Sequence, residues 1–149
     1  MSHLRAHGLG VRTPQGWDAR IHRRPPTVEG ETTHAILHAG NFALPARRGD
    51  FGSGAVERMR SDDVLVVLVE YDEPSVHTPL FSNRGVPRPR ASDFHPRGLQ
   101  RTLAGQSGAQ WFFNTGDRAF CLYVVLGDHH RRARLVPQVH DLLDQLTID

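Results

Sequence analysis

Hydrophobic positions recur along this chain with two periods, and the change from one to the other marks its elements. Val64-Leu-Val-Val-Leu-Val69 and Arg118-Ala-Phe-Cys-Leu-Tyr-Val-Val-Leu126 are nearly continuous apolar runs of strand length, rich in β-branched and aromatic residues. Such runs predict central strands covered on both faces. Ala109-Gln-Trp-Phe-Phe113 precedes the second run across Asn114-Thr-Gly-Asp117, which reads as a hairpin. Trp17 to Arg23 alternates large apolar and polar side chains, the mark of a half-buried strand, and Arg24-Pro-Pro26 stops it. Residues 8–13 read as a short opening strand ending at the turn signal Pro14-Gln15-Gly16. Residues 32–39 fit a strand better than a helix, given their length and the neighbouring Gly40-Asn41. One helical turn is expected near 55–59.

The period becomes helical after Gly127-Asp128. Leu135, Val136, Val139, Leu142, Leu143 and Leu146 form a stripe of 3.6-residue period. Pro137 belongs in a first turn, so the helix is expected to begin between Arg132 and Val136. Helices are too few for alternating strand–helix–strand units. The prediction is therefore a single α+β domain over 1–149, with an antiparallel-rich sheet of about six strands packed by the C-terminal helix. The sheet's other face must be covered by residues 52–60, by 97–106, or by a long loop at 72–98.

The Pro14-x-Gly16-Trp17 turn after a short strand, the strand from Phe120 to Gly127, and the closing helix running into Leu146-Thr-Ile148 resemble PsbP-like domains. The resemblance covers the two ends, roughly half the chain. It implies an α/β/α sandwich and, since such domains mostly bind partners without catalysis, a binding or scaffold role. It carries over no functional residue.

Composition narrows the chemistry. All 18 basic residues are arginine against 16 acidic ones, leaving a net charge of +2. This falls well short of the basic stripe that nucleic-acid binding requires, so weak nucleic-acid binding ranks last among the alternatives. Without lysine, a P-loop, a Schiff-base lysine and a kinase nucleotide clamp are excluded. A single cysteine, Cys121, excludes an internal disulfide, a CxxC pair and a cysteine-rich metal site. No cofactor is implied. The first residues lack the apolar core of a signal peptide, and no stretch approaches a membrane span, so a cytoplasmic location is expected. An export signal removed beforehand would leave the same reading.

Several constellations have residue types that could form a site. His34-x-x-x-His38 converges on a metal only if helical; on a strand the rings stand about 13 Å apart. His129-His130 in the turn after the last run would need distant ligands such as His22 or Asp72. The expectation is no metal at either pair. Gly105-Gln-Ser107-Gly-Ala109 departs from a nucleophile elbow at its last glycine and precedes a strand. The glycine-rich 48–54 segment could cradle a phosphate with its amides beside Arg47 and Arg48. Glu70-Tyr-Asp72-Glu73 gathers carboxylates at a strand end.

The 72–98 loop holds five of the ten prolines. Loops this long inside a domain are uncommon unless functional or mobile. Its arginines and their neighbour, Arg84, Arg88, Arg90, Arg97 and Arg101, are opposed only by Asp93 and suit an acidic partner, with Phe94 among them. The expected function is a small non-catalytic module that contacts a protein partner through these six residues. The alternative is a metal- or small-ligand-binding protein, or a hydrolytic enzyme, built from histidines with Glu70 and Asp72. A homo-oligomer is compatible with either.

Overall fold

The computed structural model describes residues 2–149. Among these residues, two antiparallel sheets and one α-helix make up the fold, which is α+β. The larger sheet has the order β3-β4-β5-β7-β6, from β3 (Asp18–Arg23), β4 (Ala35–Gly40), β5 (Val64–Tyr71), β6 (Ser107–Asn114) and β7 (Ala119–Leu126). The two apolar runs, β5 and β7, pair along their full length at its centre, from Val64 opposite Leu126 to Tyr71 opposite Ala119. The hairpin β6–β7 forms as the sequence predicts.

The smaller sheet, β1-β2-β8, comes from β1 (Ser2–Ala6), β2 (Leu9–Thr13) and β8 (Leu146–Ile148). Only β2 matches an expected strand. The β1–β2 turn is His7-Gly8, both at positive φ, the backbone of a tight hairpin whose twist suits its strands. With both sheets counted there are eight strands instead of about six.

Helix α1 (Arg132–Leu143) begins within the expected range, directly after a 3-10 turn over His129–Arg131. Pro137 therefore sits in the second turn. It faces solvent, and its missing N–H leaves the carbonyl of the equally exposed Ala133 to water. Leu146 keeps the helical spacing but lies past the helix end, in β8 opposite Val11.

Side chains of one parity on the large sheet, among them Leu37, Val66, Leu68, Phe113, Phe120 and Leu122, meet Leu135, Val139 and Leu142 of α1 and Leu9 and Val11 of β2. Side chains of the other parity, Leu65, Val67, Tyr123 and Val125, are covered by irregular chain: Phe42, Leu44, Phe51, Ala55, Val56, Met59 and Leu99. That is the cover expected from 52–60 and 97–106. No α-helix lies on this face among the described residues, so the layering is not the sandwich with helices on both sides.

Candidate functional site

The long loop is tied down and wraps around one edge of the large sheet. Phe81 is buried against Tyr71 and Phe112 on the face away from α1. The chain then meets the edge strand β6, where Asn114 donates to the Asn83 carbonyl (2.8 Å) and Gly85 donates to the Asn114 carbonyl (2.8 Å). It crosses to the other face, where Arg88 pairs with Asp144 and His140 Nε2–H donates to the Pro89 carbonyl. It returns to the edge at His95, which exchanges two backbone hydrogen bonds with Gly108 (3.1 and 3.0 Å). Close approach here depends on glycine: a Cβ on Gly98 would stand 2.1 Å from the Gly108 carbonyl oxygen. Three 3-10 turns, at Glu73–His77, Pro79–Phe81 and Ala91–Asp93, shape the crossing.

Of the six residues expected to face a partner, the structure separates three kinds. Arg88, Arg90 and Arg101 are paired with Asp144, Asp93 (3.8 Å) and Glu57 (3.7 Å). Arg84 and Arg97 are exposed and have no carboxylate partner among the described residues. Phe94 is corrected: it is 3% exposed and packs edge-on against Trp111 in the core, because burying its ring between loop and sheet is worth more than presenting it to water.

Between the two points where the loop pairs with it, the outer backbone edge of β6 is unpaired, although Phe81 and Phe94 pack on the Phe112 and Trp111 side chains. Because Gly108 and Asn114 turn their backbone groups away from β7, so do the alternate residues Gln110 and Phe112. Their N–H and C=O groups have no backbone partner among the described residues. An open groove of about 550 Å³ runs beside this stretch, lined among others by His95, Arg97, Leu99, Gln110, Trp111 and one carboxylate, Asp93, which is paired with Arg90. Neither Gln110 nor Phe112 stood out in the sequence. The available signal was that Ala109-Gln-Trp-Phe-Phe113 carries no charge.

The histidines do not assemble a reactive centre. His38 lies on β4 and His34 stands one residue before that strand, so the two do not share a helical face. His38 is fully buried. Arg48 Nε–H donates to its Nδ1 (2.8 Å), and its Nε2–H donates to the Asp50 carbonyl (2.8 Å). A guanidinium can only donate and a carbonyl only accept, so the ring is held as the neutral Nε2–H tautomer. Burial first, then the Arg48 charge, brings its pKa down to about 4, against a raising effect from the Asp50 carbonyl. His22 stands edge-on to it at 5.4 Å between ring centres, its own pKa lowered by burial and by Arg48. His129 lies near His95 and His130, 6.3 and 6.0 Å between ring centres, with Arg132 on its Nε2. Among the described residues no three His, Cys, Asp or Glu side chains are grouped to hold a metal ion.

The carboxylates are also engaged. Glu70 accepts from Arg118 Nε (2.8 Å) and Nη2 (3.0 Å). Burial alone would raise its pKa, but the Arg118 hydrogen bonds and charge prevail and lower it. The same guanidinium reaches the Gly8 and His7 carbonyls (3.0 and 3.1 Å), clasping the β1–β2 turn to the large sheet. Asp72 is exposed and accepts from Ser75. Ser107 is fully buried with its hydroxyl unpartnered, which removes it as a nucleophile. In the 48–54 segment the three glycine amides are taken internally: Gly49 donates to the Ser53 carbonyl, Gly52 to the Gly49 carbonyl and Gly54 to Glu57 Oε2.

A second, smaller cleft of about 240 Å³ lies on the face away from α1, lined by Phe51, Val56, Leu99, Gln106 and Tyr123. Gln106 Nε2 donates to the Val56 carbonyl (2.7 Å), while its buried Oε1 has no partner. No helix is long and apolar enough to cross a membrane among the described residues. No family model, curated protein or solved structure matches the chain.

Proposed function

We propose that this protein is a non-catalytic binding module that engages a protein partner through the loop at 72–98. The observation that carries the reading is the pair Arg84 and Arg97: both exposed, both without a carboxylate in ion-pair range among the described residues, and set at the two ends of an unpaired stretch of sheet edge. Arginines already paired within the chain, such as Arg88 with Asp144, have less left to offer. The test is affinity capture from the source cell's extract with mass-spectrometric identification. A partner retained by the wild type is expected to be lost when Arg84→Ala and Arg97→Ala are combined, and kept when Arg88→Ala is made alone. A retained set indifferent to Arg84 and Arg97 overturns the reading.

One observation favours a second reading, small-ligand binding. The cleft over Tyr123 is mostly apolar and is lined by Gln106, whose buried Oε1 has no partner and would be satisfied by the N–H of a ligand that displaces the atoms covering it. Titration with 2-pyridone followed by NMR tests it. Shifts confined to Phe51, Gln106 and Tyr123, abolished by Gln106→Leu, support it; their absence dismisses it.

A further inference from the structure

Sheet edges are a hazard, because unpaired N–H and C=O groups invite another chain to pair with them, and proteins blunt them with charge or cover. The two edges of the large sheet are treated differently. Strand β3 carries Asp18, Arg20, His22 and Arg23 along its six residues. Strand β6 carries no charged side chain between Ser107 and Asn114, and its backbone pairing with the loop is confined to its two ends. Five positions, 109–113, lie between the segment at 83–85 and His95, a gap of about 17 Å at some 3.4 Å per residue. Inside it, Gln110 and Phe112 offer two donors and two acceptors outward.

We infer that this gap takes a short extended acidic segment of a partner protein, which pairs with Gln110 and Phe112 as a sixth strand and places carboxylates against Arg84 and Arg97. The inference rests on the partner-binding reading above and names the partner's chemistry. Charge complementarity selects the occupant. Arg84 borders the gap where the loop pairs with Asn114, and Arg97 borders it just past His95. An acidic residue at each end of a five-residue strand meets an unpaired cation. A second copy of this chain does not fit, because antiparallel pairing of two β6 edges would bring Arg84 of one copy against Arg97 of the other. The flanking loop segments also limit the pairing to a few residues, which suits a short segment and excludes a long strand. Backbone hydrogen bonds supply the affinity and the arginines the selectivity, the division of labour general to strand addition.

The probe is the peptide acetyl-Glu-Val-Thr-Val-Glu-amide, followed by amide NMR on the intact protein. Binding is expected to shift the Gln110 and Phe112 amides and slow their hydrogen exchange. The Arg84→Ala and Arg97→Ala pair is expected to weaken binding about tenfold. The same peptide with glutamates replaced by lysines should not bind. Gln110→Pro removes one outward N–H and spares the β6–β7 ladder, so it should abolish binding in a folded protein. A peptide N-methylated at its central residues gives the same answer with the protein unaltered. No change at Gln110 and Phe112 with millimolar peptide overturns the inference, as does equal binding of the lysine peptide or the N-methylated one. Dimerisation of the free protein that Gln110→Pro dissolves would assign the edge to a second copy and also overturn it. Partner capture that needs Arg84 and Arg97 but survives Gln110→Pro would leave the loop reading standing and remove strand addition alone.

Discussion

His38 gives the protein a pH signature whose sign follows from its burial. Folded, the ring is neutral with a pKa near 4; unfolded, it returns to about 6.5. The unfolded state therefore binds more protons between these values, and stability falls as pH drops from about 6.5 to about 4 before levelling off. The loss approaches about 3 kcal/mol as an upper bound. Urea denaturation at pH 7, 5.5 and 4 checks this, and in a His38→Gln variant that part of the slope should vanish. At the same scale, Phe94→Ala should cost about 3 to 5 kcal/mol in a thermal melt, as for a buried aromatic. Arg90→Ala, a loose exposed pair with Asp93, should change stability by less than about 1 kcal/mol. Phe94 was illegible in the sequence because a lone aromatic among arginines and prolines reads as exposed; its burial depends on Trp111, a partner seventeen positions on.

Elements with internal evidence were legible, and those that need a distant partner were not. The continuous apolar runs of β5 and β7 declare themselves, as does the apolar stripe of α1. Strand β8 is three residues long, half-exposed and defined by pairing across the whole length of the chain, Ile148 with Leu9, while β1 is mostly exposed and defined only by its hairpin with β2. The one local hint was His7-Gly8, a pair suited to positive φ. Leu146 kept the helical period by coincidence, since a three-residue strand leaves too few positions to show its own. The small sheet's attachment yields a prediction at this level. Arg118→Met leaves the half-buried Glu70 carboxylate without its ion pair and frees the His7 and Gly8 carbonyls, which should destabilise the fold by about 3 kcal/mol. Hydrogen exchange should report the loss first in β1 and β2.

For the molecule as a whole, the two sheets and the helix share one hydrophobic cluster, so they should unfold together. Calorimetric and van't Hoff enthalpies are expected to agree, and a separate early transition of the small sheet would contradict this. The candidate site was half visible from sequence: the loop's arginines were, but which of them stay unpaired depends on Asp93, Asp144 and Glu57, whose positions only the fold determines.

The only thiol in the chain, Cys121, lies fully buried in β7 opposite Val69, with burial pushing its pKa up to about 12. A thiol-reactive dye can reach it only when the middle of the sheet comes apart. Its labelling rate in native buffer is thus a stopwatch for that opening, installed without any mutation and ready to rank every variant discussed above.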